Sequence, residues 1–190
     1  MIIGLTGPIA AGKNEVAKIL KRRGAIIIGA DEIGHELLVP QSPVWCEAVK
    51  AFGSKILNRG GVVNRHKLGE MVFEDKSALE KLNSIMHPRI KEELRTRSAE
   101  HGARTIIINA ALPVLFEGIV DTVWVVMASR EKRLKRLIKQ GSSKSGAQKR
   151  IKAQMPQAGY LKLAEVVIKN EGTLAQLKKQ VQAQLKSLKG

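Results

Sequence analysis

The chain has 190 residues and 44% hydrophobic content, enough for one sizeable α/β core with small satellite elements and too little for a second full domain. Its 33 Lys and Arg against 17 Asp and Glu leave a formal charge of +16, which favours polyanionic partners such as nucleotides, nucleic acids or acidic lipid surfaces. Three Phe, two Trp and one Tyr are too few to build the stacking platforms of a single-strand binder, so nucleic acid is disfavoured as a partner. Cys46 is the only cysteine, which excludes an intrachain disulfide and predicts a small core thiol in a reducing compartment. The start, Met1 to Leu5, lacks the grading of a signal peptide and no stretch reaches the length of a membrane span. The expectation is a cytoplasmic, monomeric protein with no membrane partner.

In chain order, short runs rich in isoleucine or valine at 2–6, 25–28, 105–109, 122–127 and 165–168 predict buried parallel strands. Between the first two, residues 15–23 place Val16, Ile19 and Leu20 on one helical face and Gly24 ends the helix, which makes a βαβ unit. From 33 to 103 no strand is predicted, and Pro40, Pro43, Gly53, Gly60, Gly61 and Pro88 punctuate short helical patterns. Residues 130–152 carry ten Lys or Arg against the single acid Glu131, broken by Gly141, Ser142, Ser143, Ser145 and Gly146, and predict a basic lid. The tail puts Leu174, Leu177, Val181, Leu185 and Leu188 on one stripe, expected to pack on the chain's own core. The alternation predicts an α/β fold: a parallel sheet of about five strands flanked by helices, with ligands at the carboxyl ends of the strands.

Gly7-Pro8-Ile9-Ala10-Ala11-Gly12-Lys13 lies between a predicted strand and a predicted helix, the context in which a G-x-x-x-x-G-K loop binds phosphate. Glycines let the backbone approach phosphate oxygens, the helix start presents unpaired N–H groups, and Lys13 adds a full charge. The next position holds Asn14 in place of the Ser or Thr whose hydroxyl ordinarily ligates Mg²⁺. An amide oxygen is still a hard donor, able to reach the metal directly or through a water. Glu15 either holds a metal-bound water or complements the helix dipole. Asp31, after the second strand, serves either as acceptor of the proton from an attacking hydroxyl or as N-cap of a helix starting near Glu32. His35, one turn further, faces the same crevice or fills surface. Arg136 and Arg150 either close over a transferring phosphoryl group or belong to a solvated helix face. His35, His66, His87 and His101 show no metal-ligand spacing, which excludes a metal-centred hydrolase.

Together these strings resemble the dephospho-coenzyme A kinase family over nearly the whole chain. The resemblance rests on the loop through Lys13, Ala30-Asp31 with Ile33, Asn64-Arg65-His66-Lys67-Leu68 leading to Val72-Phe73, and Leu82-Asn83 with His87-Pro88. It continues in Pro113-Val114-Leu115-Phe116-Glu117, Arg150-Ile151 with Gln154, and Val167-Ile168 with Asn170 and Gly172. It implies one P-loop domain over 1–190, with core 1–32, 104–129 and 154–190, a helical acceptor-binding insertion 33–103 and a lid 130–153. The implied reaction is phosphorylation of the ribose 3′-hydroxyl of dephospho-coenzyme A, a small-molecule acceptor, by ATP with Mg²⁺.

By the same resemblance Asp31 is the general base, with Lys13 and Arg136 catalytic and Asn14 at the metal. Thr6, the loop from Gly7 through Glu15, Arg136 and Arg150 hold ATP, and Asn170 with Gly172 lies near the adenine. Asp31, His35, Arg65, His87, Pro113, Leu115 and Glu117 line the acceptor side. The chain departs from the family pattern at Asn14, at Gln140 where a second lid arginine is expected, at Glu165 for an aspartate, and at His35 for a longer basic side chain. Another P-loop nucleoside or nucleotide kinase, or a nucleotide-gated nucleic-acid-binding module without catalysis, are the alternatives.

Overall fold

A computed structural model describes residues 1–188; residues 189–190, the end of the expected core range, lie outside the described residues. Five strands form one sheet: β1 (Ile2–Thr6), β2 (Ile26–Gly29), β3 (Ile106–Asn109), β4 (Thr122–Met127) and β5 (Val166–Lys169), in the order β2-β3-β1-β4-β5. β1 runs parallel to both β3 and β4, and β4 parallel to β5. The helices are α1 (Lys13–Lys21), α2 (Ala30–Leu37), α3 (Pro43–Phe52), α4 (Arg65–Glu74), α5 (Lys76–Ala99), α6 (Arg130–Lys139), α7 (Lys144–Lys152), α8 (Gln157–Lys162) and α9 (Leu174–Ser187). The chain divides into two compact units, residues 1–28 with those from 100 onward, and residues 29–99.

In the first unit the isoleucine and valine runs are buried on both faces of the sheet, as parallel strands covered by helices require. On one face Ile3, Leu5, Ile107, Trp124, Val126 and Ile168 pack with Val16 and Leu20 of α1 and Leu177 and Val181 of α9. On the other, Val125 and Met127 meet Tyr160 of α8. Leu185 and Leu188 complete the α9 stripe against the core, whereas Leu174, expected there too, is 49% exposed. The last strand starts one residue later than the apolar run suggested. Glu165 is drawn off as an acceptor, its carboxylate taking the Val123 N–H and, at 3.3 Å, the Thr122 hydroxyl. α1 begins two residues earlier than its apolar spacing, because Gly12 at φ 104° turns the loop directly into the helix.

The second unit is helical apart from one antiparallel bridge between Leu57 and Val63. Pro43 occupies the first turn of α3 behind a Ser42 cap, and Asn64 caps α4 by accepting from His66 and Lys67 N–H groups. These caps orient helices that bury Ala48, Phe52, Ile56, Val63 and Leu68 together. Cys46 is not the core residue its small apolar character suggested: the inward face of α3 is Val44, Ala48 and Phe52, and the thiol is exposed on another.

Ile107 is fully buried in the strand beside β1. Ile107→Ala is expected to destabilise the protein by about 2–5 kcal/mol through lost transfer energy plus an unfilled cavity, read as a lowered urea midpoint at unchanged slope.

Candidate active site

The strand order reverses between β1 and β3: the connection leaving β1 runs to β2 on one side while that leaving the adjacent β3 runs to β4 on the other, which opens a crevice at their carboxyl ends. The loop Gly7–Lys13 sits there. Gly7 has φ 145°, and a Cβ on it would come within 2.2 Å of the Val126 carbonyl oxygen. Gly12 has φ 104°, and a Cβ there would meet Asn170 Nδ2 at 2.1 Å. Only glycine permits β4 and the β5–α9 turn to press this closely on the loop. Thr6, just before it, is fully buried, with its hydroxyl 3.5 Å from the Ala111 carbonyl.

Side chains from distant positions hold the loop's carbonyls. Arg136 Nη1 donates to Ala10 O at 3.0 Å and Ala11 O at 2.9 Å, and Nη2 donates to Asn170 O at 3.1 Å. Asn170 Nδ2 donates to Ala11 O at 2.8 Å. Lys13 Nζ reaches back to Gly7 O at 2.9 Å. Ala10 itself holds φ 58°, a left-handed conformation costing roughly 1–2 kcal/mol for a residue with a Cβ; the Arg136 contacts offset it. With these oxygens engaged, and with the Ile9 N–H given to Gln154 and the Ala11 N–H to Pro8 O, what the loop offers a ligand is its remaining N–H groups, the N-terminus of α1 and the Lys13 ammonium. A cleft of ≈ 720 Å³ lies against it, with Lys13, Asn14, Arg136, Gln140, Asn170 and Gly172 in its wall. Pro8 and Ile9 are not part of that wall.

Asn14 and Asn109 form a pair that only half emerged from the sequence. Asn109, at the carboxyl end of β3, donates its Nδ2 to Asn14 Oδ1 at 3.1 Å, and its own Oδ1 is buried without a hydrogen-bond partner among the described residues. Two amide oxygens at the mouth of the loop are hard donors, which suit Mg²⁺ carried in largely on phosphates and water. Among the described residues no group of three His, Cys, Asp or Glu gathers for a protein-only metal site. Gln154 also went unassigned in the sequence: its Oε1 accepts the Ile9 N–H at 2.6 Å, so the segment after α7 touches the phosphate loop. Its side chain carried no periodic signal, whereas Asn109 could have been found from its place at a strand's carboxyl end.

The other expected site residues separate into groups. Glu15 spends its carboxylate on Lys18 at 2.8 Å in the first turn of α1, where it complements the helix dipole. Arg150 is exposed on α7 and is not in the wall of the loop cleft. Pro113 and Glu117 line a second cavity of ≈ 1000 Å³, while Leu115 between them is buried at 4% exposure and not part of its wall.

Asp31, His35, Arg65 and His87 all belong to the 29–99 unit. Asp31 is not an N-cap: α2 begins at Ala30 behind Gly29 with no side-chain cap, so Asp31 is the helix's second residue and its carboxylate is exposed. His35 follows four residues later on the same exposed face. Arg65 opens α4 and is exposed. Burial, and secondarily the Lys91 charge, lowers the pKa of His87, which keeps the imidazole neutral at physiological pH.

A phosphate loop on the central strand of a 2-3-1-4-5 parallel sheet, with a basic helix pair following β4, is the architecture of the P-loop kinases, and the chain is an enzyme of that kind. Known proteins narrow it further. A dephospho-CoA kinase from Carboxydothermus hydrogenoformans is 41% identical over 188 residues, covering 95% of this chain and 90% of the relative. A crystal structure from Thermus thermophilus superposes with a TM-score of 0.85 at 28% identity, over 100% of this chain and 98% of that one. The structure of dephospho-CoA kinase from Campylobacter jejuni gives 0.64 at 26% identity, over 100% and 98%. The family model described as dephospho-CoA kinase matches residues 1–176; the chain belongs to the dephospho-CoA kinase family. ATP as phosphate donor and a small-molecule acceptor follow from that membership, and no helix among the described residues is long and apolar enough to cross a membrane.

Arg136→Lys keeps the charge and loses the fork that binds Ala10, Ala11 and Asn170 at once. It is expected to weaken binding of a nonhydrolysable ATP analogue by roughly tenfold or more, since each bond to a charged donor is worth about 1.5–3 kcal/mol; calorimetric titration checks it, with retained helix content by circular dichroism as control.

Proposed function

We propose that this protein transfers the terminal phosphate of ATP to the ribose 3′-hydroxyl of dephospho-coenzyme A, the last step of coenzyme A biosynthesis. The observation that carries the reading is the braced loop: its Gly7, Ala10 and Ala11 carbonyls are tied to Arg136, Asn170 and Lys13, which supports the start of α1 and the loop's uncommitted N–H groups as the seat of a polyanion, in a chain of this family. Asn170 and Gly172, in the wall of the loop cleft, lie on the nucleotide side.

Phosphoryl transfer asks little covalent chemistry of a protein; positioning and charge stabilisation dominate. Loop amides and Lys13 hold the β and γ phosphates and absorb charge that builds as the bridging bond breaks. Arg136 fixes the loop's shape beforehand, so no reorganisation is required at the moment of reaction. Asn14 with Asn109 would hold a Mg²⁺ carried in with ATP, through amide oxygens or intervening water, and the ion would supply neutralisation of phosphate charge. Asp31 takes the proton of the acceptor hydroxyl, and Arg65 and His87 stand on the acceptor side with it. The neutral His87 suits hydrogen bonding rather than charge pairing. The enzyme acts as a monomer in the cytoplasm.

Incubation with MgATP and dephospho-coenzyme A, followed by mass analysis of the acceptor, is expected to show the gain of one phosphate; an unmodified acceptor with other nucleosides phosphorylated instead would overturn the assignment. Lys13→Ala should lower turnover by roughly a hundredfold or more, by analogy with removal of a positioned oxyanion donor. Asp31→Asn should nearly stop transfer while changing acceptor affinity modestly, and normal turnover in that variant removes it as the base. Chelation by EDTA should abolish transfer, restored by added Mg²⁺.

A further inference from the structure

Arg133 lies on α6 and is only 6% exposed, yet its Nε and Nη1 have no hydrogen-bond partner among the described residues. A buried guanidinium left unpaired costs several kcal/mol. The neighbouring acids do not relieve it: Glu131 pairs with Lys135 at 2.6 Å and Glu171 with Lys132 at 3.3 Å. Arg133 lines a cavity of ≈ 610 Å³ together with Arg130, Lys149 and Lys152, and no Asp or Glu stands in that wall. Pro8 of the phosphate loop and Gln154, which accepts from Ile9 N–H, also line it. Four cations around one cavity, beside the loop but outside the cleft that holds Lys13 and Asn170, are unused by the mechanism above.

The cavity's far wall distinguishes one anionic occupant from another. Gln154 and Met155 belong both to it and to the ≈ 1000 Å³ cavity containing Pro113 and Glu117. That second cavity is apolar in character: Leu112, Val114 and Leu163 in its wall are 48%, 50% and 44% exposed, and Met155 38%. A basic chamber opening onto an apolar one fits a diphosphate that continues into a long, weakly polar arm. The triphosphate of ATP has no such continuation; dephospho-coenzyme A has one, the pantetheine arm.

Resting on the functional reading above, we propose that the cavity around Arg133 binds the diphosphate of the acceptor, with the pantetheine arm running past Met155 into the apolar cavity, and that Arg133 sets the enzyme's preference for acceptors carrying that diphosphate. The ligand's negative charge offsets that of the buried guanidinium.

Steady-state kinetics of Arg133→Gln and of Lys149→Ala, an exposed position whose loss leaves the core intact, provide the test. Loss of a charged hydrogen bond predicts a rise of about tenfold to a hundredfold in KM for dephospho-coenzyme A in the Arg133 variant and a smaller rise in the Lys149 variant. KM for ATP should stay within about twofold, and turnover of adenosine, an acceptor without the diphosphate, should fall no further than in the parent. An unchanged KM for dephospho-coenzyme A, or an equal rise in KM for ATP, overturns the proposal. Titration of inorganic pyrophosphate into protein already saturated with a nonhydrolysable ATP analogue separates the pocket from the reaction. Binding that is lost in both variants supports the anion site even if dephospho-coenzyme A is not phosphorylated, an outcome that would sink the functional reading alone; binding unaffected by either variant overturns the site.

Discussion

Arg136 reaches from α6 to the backbone oxygens of Ala10 and Ala11, and the shape of the loop after β1 depends on that contact. A glycine-rich turn has many conformations available, and most of them do not present their amides to a common point. The guanidinium selects one by hydrogen-bonding two consecutive carbonyls while its other nitrogen fixes Asn170, whose own amide returns to Ala11. The left-handed Ala10 is tolerated because these bonds over-determine it. Elements far apart in sequence are thereby joined: the helix after β4 and the turn after β5 both terminate on the loop after β1. An arginine whose sequence context suggested a group closing over phosphate also braces the loop from the wall of the cleft beside it.

The amide pair at the mouth of the loop changes how the ligand at position 14 is held, not the charge of the site. A hydroxyl ligand and an amide ligand are both neutral, so exchanging one for the other at position 14 leaves the formal charge beside the phosphates unchanged. What differs is reach and anchoring. The Asn14 side chain is longer than a serine and is held by a hydrogen bond from Asn109, which restricts the rotamers it would otherwise lose on engaging a ligand. The departure from the usual residue therefore comes with a hydrogen-bond partner at position 109.

Much of this was legible beforehand. Parallel strands covered on both sides read as continuous apolar runs, and the loop's spacing between strand and helix is a local pattern, so both survive translation from sequence to structure. The buried stripe of Leu177 and Val181 follows from the same local rules. What escaped is long-range pairing of polar groups. Nothing around Gln154 signals that its amide meets Ile9, and nothing near Arg133 tells a buried cation from its solvated neighbours on a helix dense in lysine and arginine. At Asp31 the sequence left two readings open, a base or a helix cap; α2 starts at Ala30 behind Gly29, which removes the cap. Cys46 misled because size and apolarity predict burial only on average.

That cysteine has a practical use. It is the sole thiol of the chain and stands exposed on α3, within the 29–99 unit and away from the phosphate loop in sequence. A maleimide fluorophore or spin label will therefore modify one defined site of the natural protein, without prior removal of competing sulfhydryls. Paired with a labelled nucleotide, it gives a spectroscopic ruler from the helical unit to whatever occupies the cleft.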